Sequence, residues 1–398
     1  MPRVLRIINR LNLGGPTFNA ALLTRHMAPD FETLLVAGSK QDSEESSDFI
    51  VHELGLSYKK IPEMHRSLNP FRDYFAYHKI VKIIREFKPD IVHTHAAKAG
   101  TLGRLAAIHE NVPVILHTFH GHVFHSYFNP LKTKLFLGIE RYLAKRSSRI
   151  IAISERQKFE LSTIHKVCHA SKIKVIPLGF DLSRFQESIP QKRKNFRDKY
   201  LLEPDELAIG IIGRLVPVKN HTLLLRAAAQ VFEKTKKKIR FFLIGDGEER
   251  SHLFNLCNEL KLDYTYFPQT PRKATVTFCS WIHEVDVAIS GCDIISLSSL
   301  NEGTPVSLIE AQAGNKPVIT TDVGGIENIV SPGNTALLVG NNDLGQFSEG
   351  LLRLVEDDEL RQRLSANGWD LVKDRFHYTR LVREMKSLYF DLLAGVSK

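Results

Sequence analysis

The feature that most constrains this chain is an alternation of short β-branched runs with longer helical stretches, interrupted once and then resumed. In the first half the strand-like runs are Arg3–Arg10, Thr33–Ala37, Asp90–His95, Val112–Phe119, Arg149–Ser154 and Ile173–Pro177. Between them lie a helix running from the turn Leu13-Gly14-Gly15-Pro16 to about Met27, then Asp73–Phe87, Lys98–His109 and Pro130–Lys145. Continuous apolar strands separated by helices predict a parallel sheet covered on both faces. From Gly179 to about Pro204 the chain turns polar and basic, which reads as a linker between domains. The rhythm then restarts with Leu207–Ile212, Ile239–Ile244, Tyr264–Phe267, Asp293–Ser298, Pro317–Thr321 and Ala336–Val339 as strands. Helices are predicted at His221–Phe232, Glu248–Leu260 and Pro305–Gly314, with a long helical tail from Asp343 to Leu393. The predicted fold is α/β, two Rossmann-like doubly wound domains with a cleft between them, and ligands at the carboxyl ends of the strands.

At 398 residues the chain is long enough for two cores of this kind. Cys168, Cys257, Cys279 and Cys292 form no CxxC pair and read as buried or free thiols of a reducing compartment rather than a disulfide scaffold or zinc site. The start MPRVLRIINRL alternates apolar residues with Arg, which suits a strand better than a secretory leader. No run approaches the roughly 20 apolar residues that span a bilayer, so a cytoplasmic protein is expected. The formal charge of +10 admits nucleic acid, anionic membrane or small anions. No nucleic-acid module accompanies it, and nucleic acid is not expected as a partner.

The most informative stretch is Asn301-Glu302-Gly303-Thr304-Pro305-Val306-Ser307-Leu308-Ile309-Glu310. Thr304 is a suitable N-cap and Pro305 suits the first helical position. Gly303 permits close approach of a ligand to the backbone, and the first helical amides make a phosphate site. Glu310 falls about one and a half turns inside the helix, roughly 8 Å beyond Glu302 along the axis. Two carboxylates so placed can each take ligand hydroxyls. Standing alone, the same pair would be a turn residue and a solvated helix position.

Gly213-Arg214-Leu215-Val216-Pro217-Val218-Lys219-Asn220 follows the first strand of the second domain. A guanidinium and an ammonium at that strand end can neutralise a departing diphosphate. In the first domain Gly14 and Gly15 occupy the first βα turn, as a backbone nest for phosphate or as a simple chain reversal. His93-Thr94-His95 ends a strand without a neighbouring carboxylate or Cys, which favours a core or cleft-lining role over zinc. His117-Thr118-Phe119-His120-Gly121-His122 ends the next strand and opens onto the aromatic loop Val123–Asn129. One of those three histidines is expected to pack inward, since alternate strand residues face opposite sides. On Pro130–Arg146, Leu131, Leu135, Ile139 and Tyr142 share a face, with Lys132, Lys134, Arg141, Lys145 and Arg146 around it. That helix reads as an ordinary crossover with a solvated face, or as a membrane-surface helix.

The segments Gly-Arg-Leu…Lys-Asn at 213–220, Gly245-Asp246-Gly247, Glu302-Gly303…Glu310-Ala311 and Pro317-Val318-Ile319, and more weakly Gly324-Gly325, resemble the GT-B glycosyltransferases of the family 4 type. The resemblance spans nearly the whole chain. It implies an acceptor-side domain over 1–180, a nucleotide-sugar domain over 181–370, and a C-terminal helix over 371–398 that packs back on the first domain. On that pattern Arg214 and Lys219 hold the diphosphate, Glu302 the transferred sugar and Glu310 the ribose. Gly14, Gly15, Gly213, Gly303 and Thr304 are further donor-binding positions. His120 faces the reacting sugar, with His122 as the alternative, and Phe267–Trp281 is expected to shape the base pocket. The implied reaction is retaining transfer of a sugar from a nucleotide-diphosphate donor, a uracil nucleotide first and guanine second, without a metal. The implied acceptor is a glycan or a lipid-linked intermediate of surface polysaccharide, reached from the inner face of the membrane. A nucleotide-sugar epimerase of the same architecture and a non-catalytic relic that only binds are the rival readings.

Overall fold

The computed structural model describes residues 1–12, 14–39, 47–65, 67, 69–120 and 130–396, with the side chains of 130–132 excepted. His122 and the loop at 123–129 therefore lie outside the described residues, as does Leu13 of the glycine turn. The chain forms two compact units, one of Met1–Phe180 with Phe376–Lys398, the other of Asp181–Arg375.

The first unit holds strands β1 (Arg3–Ile8), β2 (Glu32–Gly38), β3 (Lys59–Ile61), β4 (Ile91–His95), β5 (Val114–Thr118), β6 (Arg149–Ala152) and β7 (Ile173–Val175). They lie parallel in the order β3-β2-β1-β4-β5-β6-β7. Strand order reverses between β1 and β4, and the two-residue period sorts the side chains there. Leu5 and Ile7 of β1 with Val92 of β4 face the helices Pro70–Phe87 and Ala97–His109. Val4 and Ile91 face the opposite way, against Leu23 of the helix Gly15–His26, Met27 at its C-cap, and Leu381, Met385 and Tyr389 of the helix Tyr378–Val396. That last helix is thus a structural layer of the first unit. Its entry is fixed by hydrogen bonds from Phe180 N to Phe376 O (2.8 Å) and from Tyr378 N to Phe180 O (3.0 Å).

The second unit holds β8 (Leu207–Ile212), β9 (Ile239–Ile244), β10 (Tyr264–Tyr266), β11 (Val276–Ser280), β12 (Ile294–Leu297), β13 (Val318–Thr321) and β14 (Ala336–Val339). They too are parallel, in the order β10-β11-β9-β8-β12-β13-β14. Ile209, Ile211, Phe241 and Leu243 pack on one face under Leu224, Ala227 and Ala228 of the helix His221–Lys234.

Several expectations need correction. The segment read as a linker contains the helix Ile189–Lys199, whose Phe196 and following Tyr200 pack edge-on against Phe242 on the other face of the second sheet. The fully buried Arg240 binds the carbonyls of Tyr200 (2.7 Å) and Leu201 (3.0 Å), anchoring that helix's end. Lys192 pairs with Asp286, and Arg193 and the buried Arg197 pair with Asp293, so basic residues that composition alone mistakes for a tether help dock the helix. Strands β3 and β11 were not foreseen; β11 falls in the segment assigned to the base pocket. The helical tail is four helices, Leu344–Glu356, Asp358–Ala366, Gly368–Phe376 and Tyr378–Val396, and Trp369 belongs to the second unit with its amide on Asn315 Oδ1. The crossing point is Phe376 rather than residue 371.

The helix Pro130–Arg146 buries Glu140, Leu143 and Ala144, not the stripe through Leu135 and Tyr142, which are 63% and 47% exposed. A buried ion pair decides this rotation, because Glu140 must reach Arg104, 2.6 Å away on the helix Ala97–His109. No helix among the described residues is long and apolar enough to cross a membrane.

Candidate functional site

In the second sheet the strand order reverses between β8 and β12, where an open α/β sheet leaves a crevice at its carboxyl edge. The loop after β8 makes a short 3-10 turn, Pro217–Lys219, and Asn220, left-handed at φ 49°, opens the helix His221–Lys234. The loop after β12 is tied to it, with Leu300 N on Val218 O (2.8 Å) and Ser298 Oγ on Lys219 O (3.1 Å). These bonds deliver Lys219 Nζ to Glu302 Oε1 at 2.5 Å, while Ser299 Oγ donates to the same oxygen at 2.6 Å. The side chains are 21% and 10% exposed, so the pair is half withdrawn from water yet reachable. The Lys219 stem runs alongside Gly213, where a Cβ would stand 3.5 Å from Lys219 Cε.

Arg214, next to Gly213, is exposed and has no ion-pair partner among the described residues. Gly303 faces open space. Gly324 and Gly325, after β13, lie against the backbone of Glu302 and Gly303, and Gly325 N donates to Glu302 O at 3.0 Å. Gly324 has φ +61°, and a Cβ there would fall inside the van der Waals shell of the Glu302 carbonyl.

The helix here is Val306–Ala313, with Pro305 rather than Thr304 at the cap and no side-chain cap bond. Thr304 belongs to the preceding turn: Pro305 adopts extended dihedrals (φ −69°, ψ 109°), so the helix starts one residue later than expected. The first amides of the helix are left without intrahelical acceptors. Glu310 is buried, not solvated, and Arg184 Nη2 stands 3.6 Å from its Oε1. Burial pushes its carboxyl up to about 7, with Asp286 reinforcing the rise and Arg184 opposing it. Arg184, Ser298 and Ser299 were missed. The two serines at the end of β12 were a legible hint, but Arg184 was hidden in the supposed linker. His221, buried beside Lys219, is pushed down to about 3 by burial and then by the lysine's charge.

In the first unit Gly14 has φ 150° and precedes the helix Gly15–His26 at the end of β1. His117 is the histidine that packs inward, fully buried, with its Nδ1 on Thr94 Oγ1 at 2.9 Å. His120 lies beyond the end of β5, with Nε2 2.8 Å from His95 Nδ1. His93 and His95 are fully buried and both touch Arg6 Nη1, at 3.0 and 3.4 Å.

The signature described as "Glycosyltransferase Family 4" matches residues 14–184, and that described as "Glycosyl transferases group 1" matches 192–370. Over 337 residues the chain is 30% identical to the UDP-Gal:alpha-D-GlcNAc-diphosphoundecaprenol alpha-1,3-galactosyltransferase of Escherichia coli, covering 84% of each chain. The protein is a GT-B glycosyltransferase of the family 4 type. This glycosyltransferase is also 26% identical over 331 residues to the capsular polysaccharide biosynthesis glycosyltransferase CapM of Staphylococcus aureus, covering 83% of this chain and 84% of that one. In fold it matches HepE of Anabaena in complex with UDP, with a TM-score of 0.79 at 18% identity, over 98% of this chain and 100% of that one. HepE has also been solved with UDP-glucose, at the same TM-score and 17% identity.

Proposed function

We propose that this glycosyltransferase moves a hexosyl group from a UDP-sugar to a glycan or lipid-linked acceptor in surface polysaccharide synthesis, with retention of anomeric configuration. The observation that carries the donor site is the Lys219–Glu302 pair at the switch point of the second sheet, beside an exposed Arg214 and an open Gly303. As the glycosidic bond breaks, negative charge builds on the diphosphate. Lys219, Arg214 and the amides at the start of the helix Val306–Ala313 stabilise it without a metal. Glu302 accepts from hydroxyls of the transferred sugar and Glu310 from the ribose.

The UDP preference is supported by the donor in the name of the Escherichia coli relative and by the UDP complexes of HepE. The acceptor class is supported by the lipid-diphosphate acceptor in that same name and by CapM's capsular role. Attachment to an anionic membrane face is supported by exposed Leu135 and Tyr142 beside exposed Lys134, Arg141, Lys145 and Arg146.

Calorimetry with UDP, GDP and a panel of UDP-hexoses tests the donor. UDP and one UDP-hexose bind, and Glu310→Ala abolishes both; binding of GDP alone would overturn the base assignment. Proton NMR of the product made on an undecaprenyl-diphosphate sugar reads the anomeric configuration, which matches that of the donor.

A further inference from the structure

Arg6 sits fully buried in the middle of β1, an unusual place for a permanent charge, and no carboxylate pairs with it among the described residues. The two-residue period sends Arg6, His93, His95 and Thr118 to the same side of the first sheet, the side that Tyr389 covers. The two hydrogens of Arg6 Nη1 are directed to two rings, at 3.0 Å to His93 Nδ1 and 3.4 Å to His95 Nε2.

A guanidinium only donates. Both receiving nitrogens therefore carry lone pairs, and each neutral ring keeps its one proton on the other nitrogen. For His93 that proton is on Nε2 and donates to Thr118 Oγ1 at 2.7 Å, while the Tyr389 hydroxyl lies 2.6 Å from Nδ1. For His95 the proton is on Nδ1 and donates to His120 Nε2 at 2.8 Å. The His120 proton is thereby forced onto Nδ1, which is buried and has no hydrogen-bond partner among the described residues. Burial holds all three rings neutral: His93 and His95 are driven well below the usual histidine range and His120 to about 3. Arg6 adds to the first two shifts.

We infer that Arg6 and His95 are positioning residues that lock His120 as its Nδ1–H tautomer, a hydrogen-bond donor held ready for a ligand oxygen. The ligand half of this inference rests on the donor reading given above; the relay itself does not. In water the histidine ring favours the Nε2–H form, so the arrangement opposes the ring's own preference. A buried donor without a partner is costly, and a ligand oxygen that completes it recovers that cost.

The relay is tested without any nucleotide sugar, by nitrogen NMR of the protein labelled in its histidine rings, with His120 assigned from its loss in His120→Gln. His120 carries its proton on Nδ1 in the wild type, and His95→Phe and Arg6→Met both return it to Nε2. An Nε2–H signal in the wild type, or an unchanged tautomer in both variants, overturns the relay. The wild-type spectrum decides even where Arg6→Met fails to fold. With a UDP-hexose, His95→Phe lowers kcat by at least about fivefold at unchanged affinity for UDP. A matching loss of UDP affinity overturns the positioning role. Failure of the wild type to bind UDP counts against the donor reading and leaves the tautomer result standing.

Discussion

Lys219 Nζ and Glu302 Oε1 stand 2.5 Å apart, and this ion pair joins the loop after β8 to the loop after β12. Backbone bonds on either side hold the two loops in register, so the pair is presented by rigid strand ends rather than by a free loop. Lys219 is thereby aimed before any ligand arrives.

On the proposed mechanism, removal of either cation costs the transition state one charge contact. Lys219→Ala and Arg214→Ala each lower kcat at least about tenfold, or about 1.4 kcal/mol. The two variants differ in stability. Arg214→Ala leaves the melting temperature unchanged because its side chain is exposed, whereas Lys219→Ala lowers it by leaving the Glu302 carboxylate, 10% exposed, without its cation. Steady-state kinetics and thermal melts check both; undiminished turnover in the two variants would remove these cations from the mechanism.

Glu310 makes stability depend on pH in a direction opposite to most carboxylates. Its folded-state value, about 7, lies above its ordinary 4.5. Its contribution is therefore fully present below pH 4.5 and is lost as the pH rises through 7, to a limit of about 3 kcal/mol. The melting temperature of the wild type falls between pH 5 and 8 by more than that of Glu310→Gln, which keeps the shape and cannot ionise. Parallel curves would show that the carboxyl titrates in its ordinary range.

Gly324 supports the Glu302 loop through space alone. Gly324→Ala combines a left-handed backbone, costing roughly 1–2 kcal/mol, with a clash against the Glu302 carbonyl. The change lowers both the melting temperature and turnover. Gly333→Ala has a similar φ of +74° but nothing within 4 Å, so it bears the backbone cost only and keeps full activity. Equal effects of the two substitutions on turnover would refute the role given to Gly324.

The returning helix is held by its buried stripe. Leu381→Ala empties a fully buried position against Gly179 and the first sheet, which costs about 2–5 kcal/mol. Val396→Ala, at the exposed end of the same helix, changes stability by less than about 0.5 kcal/mol. Denaturant unfolding of the two variants measures the difference.

The alternation of apolar runs and helices was sufficient to identify two parallel α/β units, because a strand buried on both faces has to be continuously apolar. The turn at Gly303 was legible for a related reason: a backbone turning from strand to helix admits few residue types. Sequence alone could not reveal that Lys219 meets Glu302, that Arg184 faces Glu310, or that Arg6 reaches two histidines of β4. Each of those meetings joins residues more than 80 positions apart, and sheet register rather than local spacing sets them. The rotation of the helix Pro130–Arg146 and the helix hidden in the apparent linker were decided in the same way. Apolar periodicity offered more than one face or state, and a buried charge pair or an aromatic stack in the folded chain selected between them.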